Sequence, residues 1–261
     1  MDVSTDYETI EVHYEEGVTT LSLNRPDKLN SFTTQMHAEL RDVLSRVQSS
    51  AQVRCLILRG NGRGFCAGQD LADLDLEALG EVVNRDYNPL IRTLTTLNIP
   101  VIASVNGVAA GAGANLALAC DIVLAARSAA FIQPFNQLGL VPDSGGSWTL
   151  PRLVGLARAT ALCLTGEAVS AEQAESWGMI WRCVDDEHLL EETGKLAQRL
   201  AQQATVGLGY TKMLMRFSQT RTLDEQLNLE RDFQDAASKT DDFSEGVDAF
   251  LNKRKPVFKG R

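Results

Sequence analysis

Apolar and polar positions alternate over residues 8–14 and 18–24, with a short Glu-Gly turn between the two segments. This period of two predicts a β-hairpin. Three later runs are short and almost wholly apolar, which is typical of buried strands. They lie at residues 53–58, 101–105 and 121–125.

Helical spacing of apolar residues separates these strands. A helix capped by Ser31 or Thr33 is predicted to reach about Gln48, and a second one to cover residues 81–97. The alternation of strands and helices through about residue 150 predicts an α/β fold. Beyond it we expect mainly helices, at 145–154, 156–164, 170–176, 187–203, 206–218, 222–236 and 241–251, with the last third of the chain wholly helical.

Charge and cysteine content narrow the classes of function. The 261 residues include 25 Lys and Arg against 34 Asp and Glu, a net charge of −9. Such an acidic surface argues against nucleic-acid binding, which requires a basic face. Five scattered cysteines show no zinc-site spacing and predict no disulfide framework. With an acidic N-terminus unlike a signal peptide, these features favour the cytoplasm.

One segment, residues 99–120, carries no charge and is long enough to span a bilayer. Proline, serine, asparagine and several glycines interrupt it, and no basic flank follows. We therefore expect a buried strand, a Gly-rich turn and a buried helix, and no contact with a membrane.

Two Gly-rich turns, at residues 59–70 and 106–115, each follow a buried strand and precede a helix. Such turns present unpaired backbone N–H groups at a helix N-terminus. If the two converge, they form an oxyanion hole, which stabilises charge developing on a carbonyl oxygen. A packing role for either turn is the alternative.

Other catalytic motifs fit poorly. The run Gly-Phe-Cys-Ala-Gly at 64–68 has the spacing of a nucleophile elbow, but polar residues separate it from the preceding strand. Its base would have to be His13, His37 or His188, and none lies in a Gly-rich turn. The sequence contains no H-E-x-x-H or Walker A motif, and the G-x-G at 111–113 lacks the rest of a Rossmann fingerprint.

Several motifs, taken together, resemble the crotonase, or enoyl-CoA hydratase/isomerase, superfamily. They are N-R-P-D-K-L-N-S (24–31), G-F-C-A-G-Q-D-L (64–71), P-V-I-A-S-V-N-G-V-A-A-G-A-G (100–113), A-C-D-I-V-L-A (119–125), G-L-V-P-D-S-G-G-S (139–147) and F-L-N-K-R-K-P-V-F (250–258). The resemblance implies an α/β fold, a spiral of ββα repeats over residues 1–200. It also implies a helical trimerisation region over 201–261, an acyl-CoA thioester substrate, and a homotrimer or a dimer of trimers.

The resemblance also implies a set of site residues. The oxyanion amides are expected at Ala67 and Ala112, one in each Gly-rich turn. Residues expected to bind the CoA or acyl part of the substrate are Lys28, Leu29, Ala67, Gln69, Asp70, Leu71, Ala112, Gly113, Phe135, Leu138, Phe250 and Lys253. No metal and no separate cofactor are expected, because the CoA is carried as part of the substrate.

Two departures from the family pattern affect the expected reaction. Family hydratases use two glutamates to activate water, and this chain has Asn115 and Phe135 at those positions. Asparagine cannot serve as a general base, and phenylalanine can neither donate nor accept a proton. A standard hydratase is therefore disfavoured, although a hydratase with an atypical site stays an alternative.

A different acid, Asp143, stands where hydratases of the family have glycine. Isomerases of the family carry a catalytic aspartate at this position, and an apolar surrounding would raise its pKa and suit it to shuttling a proton. The alternative is an aspartate that caps the helix beginning near Gly145.

Asp143 and the two Gly-rich turns predict isomerisation of a CoA thioester. One form moves a double bond from position 3 to position 2. The other converts a ring 1,2-epoxide of phenylacetyl-CoA to an oxepin, as in the family branch that the motifs W-G-M-I-W (177–181) and L-N-L-E-R-D (227–232) resemble. A non-catalytic acyl-CoA-binding or RNA-binding member is the second class.

Overall fold

The computed structural model describes residues 6–74 and 77–261. It contains ten strands: β1 (Ile10–Glu15), β2 (Val18–Leu23), β3 (Cys55–Gly60), β4 (Gly64–Cys66), β5 (Val101–Val105), β6 (Val108–Ala110), β7 (Ile122–Ala126), β8 (Ala130–Ile132), β9 (Val169–Ser170) and β10 (Arg182–Val184). The predicted hairpin is confirmed as the antiparallel pair of β1 and β2. The three predicted buried strands are confirmed as β3, β5 and β7.

The described residues also form eleven α-helices. They are α1 (Thr34–Ser49), α2 (Leu79–Val82), α3 (Asn88–Thr96), α4 (Ala112–Ala119), α5 (Gly146–Val154), α6 (Leu156–Thr165), α7 (Ala171–Ser176), α8 (Leu189–Ala201), α9 (Thr205–Phe217), α10 (Leu223–Ala237) and α11 (Asp241–Leu251). A π-helical segment, Val83–Tyr87, joins α2 to α3. Thr33, one of the two predicted caps, accepts the Met36 N–H at 3.2 Å and starts α1.

The strands form two sheets, which the chain visits alternately. The larger sheet has the order β1-β2-β3-β5-β7-β10, and the smaller has the order β4-β6-β8-β9. Each of the pairs β3-β4, β5-β6 and β7-β8 gives its first strand to the larger sheet and its second to the smaller one. This recurrence is the expected spiral of ββα repeats. Because equivalent strands lie side by side, the turns that follow them also become neighbours.

The uncharged segment at 99–120 forms β5, β6 and α4. All eight residues of α4 are buried, so its alanines and leucines belong to the core. None of the described helices has the length and hydropathy needed to cross a membrane.

The expectation of a wholly helical last third is wrong, and the mainly helical region before it also contains a short strand. Val169–Ser170 pairs with β8, and Arg182–Val184 adds a parallel strand beside β7. The short strands β4, β6 and β8 were also missed, because three residues are too few to show a period.

The helix α9 and the C-terminal tail are joined to the core through one ion pair and several hydrogen bonds from charged side chains. The Lys212 ammonium of α9 lies 2.8 Å from the Asp121 carboxylate and also donates to the carbonyl of Leu94 at 3.0 Å. Arg54 donates to Thr205 at 2.9 Å and to the Phe258 carbonyl at 2.9 Å. Because these groups are partly or wholly desolvated, their pairing fixes the position of α9 against the sheet.

Candidate active site

The first Gly-rich turn follows β4 and runs along the backbone of Phe32. The Phe32 N–H donates to the Gly68 carbonyl at 2.8 Å, and the Asp70 N–H donates to the Phe32 carbonyl at 2.9 Å. This pattern is a parallel bridge, in which the residue between the two bonded groups directs its own N–H to the other side. That residue is Gln69, and nothing within residues 6–74 and 77–261 accepts its N–H.

The oxyanion role expected for Ala67 is contradicted. The Ala67 N–H donates to the Leu29 carbonyl at 2.9 Å, so it is already satisfied inside the protein. Leu29, in the left-handed conformation with φ of 49°, turns its carbonyl toward Ala67. The free amide of this turn therefore belongs to Gln69, which we expected to contact CoA by its position in the motif.

The second Gly-rich turn follows β6 and begins α4. Gly111 has a φ of 54°, a conformation that side chains rarely adopt, and it turns the chain from strand to helix. The first bond within α4 runs from the Asn115 N–H to the Gly111 carbonyl at 3.0 Å. The Ala112 N–H thus has no acceptor in the helix and lies at its positive end.

The two turns touch each other. A Cβ atom at Gly68 would lie 3.7 Å from the Ala112 nitrogen and 3.0 Å from the Ala110 carbonyl oxygen. A Cβ atom at Gly113 would lie only 2.2 Å from the Cys66 carbonyl oxygen, so Gly113 permits α4 to pack directly on β4. The structure therefore brings the two turns together, each with one backbone amide that has no acceptor among the described residues. Two such amides are the kind of donor that an oxyanion hole requires.

Asp143 lies in the loop between β8 and α5. Its backbone carbonyl accepts the Gly146 N–H at 2.8 Å, but α5 is capped by Gly145 without any side-chain bond. The proposed capping role of the Asp143 carboxylate is therefore wrong. Its Oδ1 atom is buried and accepts no hydrogen bond of good geometry in the described part of the chain. Burial raises the pKa of the carboxyl group, and the neighbouring Ser144 hydroxyl opposes this shift more weakly.

At the two positions where family hydratases have glutamates, this chain has Asn115 and Phe135, and the structure shows what each of them contacts. The Asn115 amide donates to the Asp143 carbonyl at 2.9 Å, and it accepts a bond from Gln133 at 2.8 Å. The Phe135 ring is buried and would lie 3.6 Å from a Cβ atom at Gly111. Asn115 thus holds the loop that carries Asp143, and Phe135 makes the wall beside the second turn apolar.

The other expected binding residues lie along the edge of the first turn or on α11. Asp70 pairs with Arg25 at 2.9 Å, and this hydrogen bond lowers the pKa of the Asp70 carboxyl group. Lys28, Leu71 and Leu138 are exposed on nearby loops. Phe250 is 83% exposed, and among the described residues no backbone hydrogen bond joins it or Lys253 to the two turns.

The sequence reasoning missed Tyr87, which is buried against the first turn. Its hydroxyl donates a short hydrogen bond to the Gln69 side-chain oxygen. Burial, and then the nearby charge of Asp143, raise the pKa of Tyr87 far above its ordinary value. Tyr87 belongs to no recognised motif, and its place in a π-helical turn gives no sequence signal.

Two alternative chemistries lack support in this geometry. The Cys66 thiol is fully buried, donates to the Asn30 carbonyl at 3.1 Å, and has a pKa raised by burial to about 12. A thiol nucleophile requires a thiolate and access, so Cys66 does not fit that role. Among the described residues, no three His, Cys, Asp or Glu side chains gather into a metal-binding cluster.

Comparison with known proteins identifies the family of the chain. The chain is 55% identical over 255 residues to 1,2-epoxyphenylacetyl-CoA isomerase of Escherichia coli K12, covering 95% of this chain and 97% of that protein. It is 33% identical to trans-2-decenoyl-[acyl-carrier-protein] isomerase of Streptococcus mutans, covering 98% and 100%. The solved enoyl-CoA hydratase of Bacillus anthracis superposes with a TM-score of 0.93 at 32% identity, covering 97% and 100%. Residues 13–261 match the enoyl-CoA hydratase/isomerase family, and the chain therefore belongs to that family.

Proposed function

We propose that this chain is a cytoplasmic isomerase of acyl-CoA thioesters. The observation that carries the proposal is the buried carboxyl group of Asp143, in a loop that Asn115 of α4 holds by a hydrogen bond to the Asp143 carbonyl, while α4 itself begins at the free amide of Ala112. The 55% identity to 1,2-epoxyphenylacetyl-CoA isomerase supports the same class of reaction. The physiological substrate that we propose is the ring 1,2-epoxide of phenylacetyl-CoA, with 3-enoyl-CoA as a second substrate.

In the proposed mechanism the thioester oxygen accepts hydrogen bonds from the Gln69 and Ala112 amides. These donors stabilise the negative charge that collects on this oxygen when a proton leaves the neighbouring carbon. For a 3-enoyl-CoA, Asp143 removes the proton from carbon 2 and returns it to carbon 4. The double bond then lies between carbons 2 and 3, and the carboxylate is regenerated. For the ring epoxide, the same polarisation promotes opening of the fused three-membered ring to the oxepin.

The raised pKa of Asp143 suits this shuttle. A carboxylate whose pKa lies nearer to neutral is a stronger base, and once protonated it is still able to give the proton back. Addition of water requires a carboxylate that orients and activates it. Asn115 is occupied with the Asp143 carbonyl, and Phe135 has no proton to exchange, so hydration is disfavoured.

An isomerase assay with 3-enoyl-CoA and the ring epoxide tests this proposal. We expect activity in the wild type and a loss of about 10²- to 10⁴-fold in kcat for Asp143→Asn, which removes the base but keeps the size of the side chain. Asp235→Asn, at an exposed surface ion pair, is the matched control and should keep full activity. An Asp143→Asn enzyme as active as the wild type overturns the shuttle. A wild type that only hydrates 2-enoyl-CoA overturns the isomerase assignment.

We also propose a homotrimer assembled through the C-terminal helices. An uncovered apolar surface on α9–α11 supports it, since large exposed patches usually mark interfaces. Its members are Met215, Leu223, Leu227, Phe243, Val247, Phe250 and Leu251. Light scattering on the purified protein should give three times 28.5 kDa, or six times for a dimer of trimers. A monomer at micromolar concentration contradicts the proposal.

A further inference from the structure

Tyr87 occupies an unusual place in the helix that passes the first Gly-rich turn. The segment Val83–Tyr87 is π-helical, and regular α-helix precedes and follows it. A π-helical turn contains one residue more than an α-helical turn. The side chains at and after it therefore point in directions rotated from those that a continuous α-helix would give them. Tyr87 ends this segment with only 2% of its surface exposed, and its hydroxyl reaches the Gln69 side chain.

The Gln69 side chain is held at both ends. Its oxygen accepts the Tyr87 hydroxyl, and its nitrogen donates to the Asp70 carbonyl at 3.1 Å. The side chain therefore bends back along its own backbone. A displacement of the Gln69 Cα atom, which would carry the N–H with it, would break one or both of these bonds.

The Tyr87 ring also supports the other residue that holds this peptide. It packs edge-on against Phe32, with ring centroids 5.5 Å apart, and the Phe32 backbone bonds to both sides of Gln69. The His37 ring stacks on Phe32 at 5.0 Å and meets Tyr87 edge-on at 4.4 Å. Tyr87 thus contacts the backbone support of the first turn through its ring, and the side chain of the donor residue through its hydroxyl.

We propose that Tyr87 is a positioning residue, which orients the Gln69 amide toward the thioester oxygen through its hydrogen bond to the Gln69 side chain. This inference rests on the proposed function, because it requires an oxyanion at the junction of the two turns. The phenol stays protonated and remains a donor, since burial and the charge of Asp143 both oppose its ionisation. Tyr87 acts through Gln69 and does not touch the substrate.

A double-mutant cycle tests the inference. Tyr87→Phe removes the hydroxyl and keeps the ring, and Gln69→Leu removes its partner while the backbone amide remains. We expect each variant to lower kcat about tenfold with KM changed less than twofold, because a donor that binds the transition state is displaced. The double variant should be no worse than either single variant. Tyr14→Phe, which removes a hydroxyl that donates to the Gln52 carbonyl at 3.4 Å, is the control.

A binding measurement separates this inference from the proposed reaction. Acetoacetyl-CoA forms an enolate, so its ultraviolet absorbance reports stabilisation of an oxyanion without any turnover. Tyr87→Phe should bind it about tenfold more weakly than the wild type does and should bind butyryl-CoA unchanged. If the wild type isomerises nothing but shows this difference, the proposed function fails and the positioning role stands.

Three results overturn the positioning role. They are full activity in Tyr87→Phe, losses that add in the double variant, and equal weakening of acetoacetyl-CoA and butyryl-CoA. Additive losses would mean that the hydroxyl acts independently of Gln69. Equal weakening would mean that Tyr87 only shapes the pocket. Melting temperatures of all variants show whether each folded population is the same.

Discussion

Gly113→Ala is a sharp test of the junction between the two Gly-rich turns. The new methyl group would lie 2.2 Å from the Cys66 carbonyl oxygen and 2.8 Å from the Cys66 carbonyl carbon. Both atoms belong to the backbone of β4, so they cannot move aside as a flexible side chain would. Because carbon atoms prefer separations of about 3.5–4.0 Å, the start of α4 must move away by about 1 Å.

This displacement should affect both stability and catalysis. Overpacking of a dense core costs about 1–3 kcal/mol, and we expect about 2 kcal/mol here. The Ala112 amide moves together with the start of α4, away from Gln69. A misplacement of about 1 Å at a reacting centre lowers rates about 10²-fold, so we expect a loss of that order in kcat.

Isomerase kinetics and urea denaturation of the same preparations measure the two effects. Gly194→Ala is the matched control, because a Cβ atom there meets nothing within 4 Å and the position lies inside α8. It should stabilise the protein by about 0.5–1 kcal/mol and leave kcat unchanged. If Gly113→Ala keeps wild-type stability and kcat, the contact between the turns does not control the amides, and our reasoning is refuted.

Three further outcomes are expected. Burial lowers the pKa of His37 from 6.5 to about 4, although Asp86 and Asp73 oppose this effect while Arg41 and Arg85 add to it. As the pH falls, the His37 imidazole is therefore protonated in the unfolded chain before it is protonated in the folded protein. About 3 kcal/mol of the free energy of unfolding, fully present above pH 6.5, is lost as the pH falls to 4. Urea denaturation of His37→Leu at the same pH values should not show this loss. Lys212→Ala removes the ammonium partner of Asp121 and leaves Arg216, at 2.9 Å, as the remaining cation on that carboxylate. The loss of hydrogen bonds to a charged group should cost about 2 kcal/mol by the same method, whereas a change below about 1 kcal/mol would contradict the role of the Lys212 pair. Asn115→Glu should lower isomerase kcat about tenfold without gaining hydration of 2-enoyl-CoA, because a carboxylate cannot donate to the Asp143 carbonyl; new hydratase activity would refute this.

Long periodic elements were predictable from the sequence, and short or non-local ones were not. The cap of α1 and the limits of β5 follow from local patterns, and the structure confirms both. The three-residue strands β4, β6 and β8 are stabilised by pairing with one another, which no local pattern reveals.

The same distinction applies to the site. Both Gly-rich turns and Asp143 were identifiable as residues of interest. However, the amide that is free in the first turn depends on pairing with Phe32, more than thirty positions earlier in the chain. The sequence assigned the role to Ala67 because neighbouring amides in a motif look equivalent until their acceptors are known. Tyr87 was missed because its contact depends on the phase of a π-helical turn.

The order of strands in the larger sheet has a consequence for how the chain folds. β1, β2, β3, β5 and β7 lie side by side in the order in which they are synthesised, so each new strand meets an edge that already exists. The chain then leaves this sheet at Ala126 and returns only at Arg182. Among the connections between neighbouring strands of this sheet, the one from β7 to β10 is the longest, so closing it has the largest cost in chain entropy. The pairing that it permits is small, because β10 has only three residues. We therefore expect β10 to join last and to exchange its amide hydrogens earliest among the strands of this sheet.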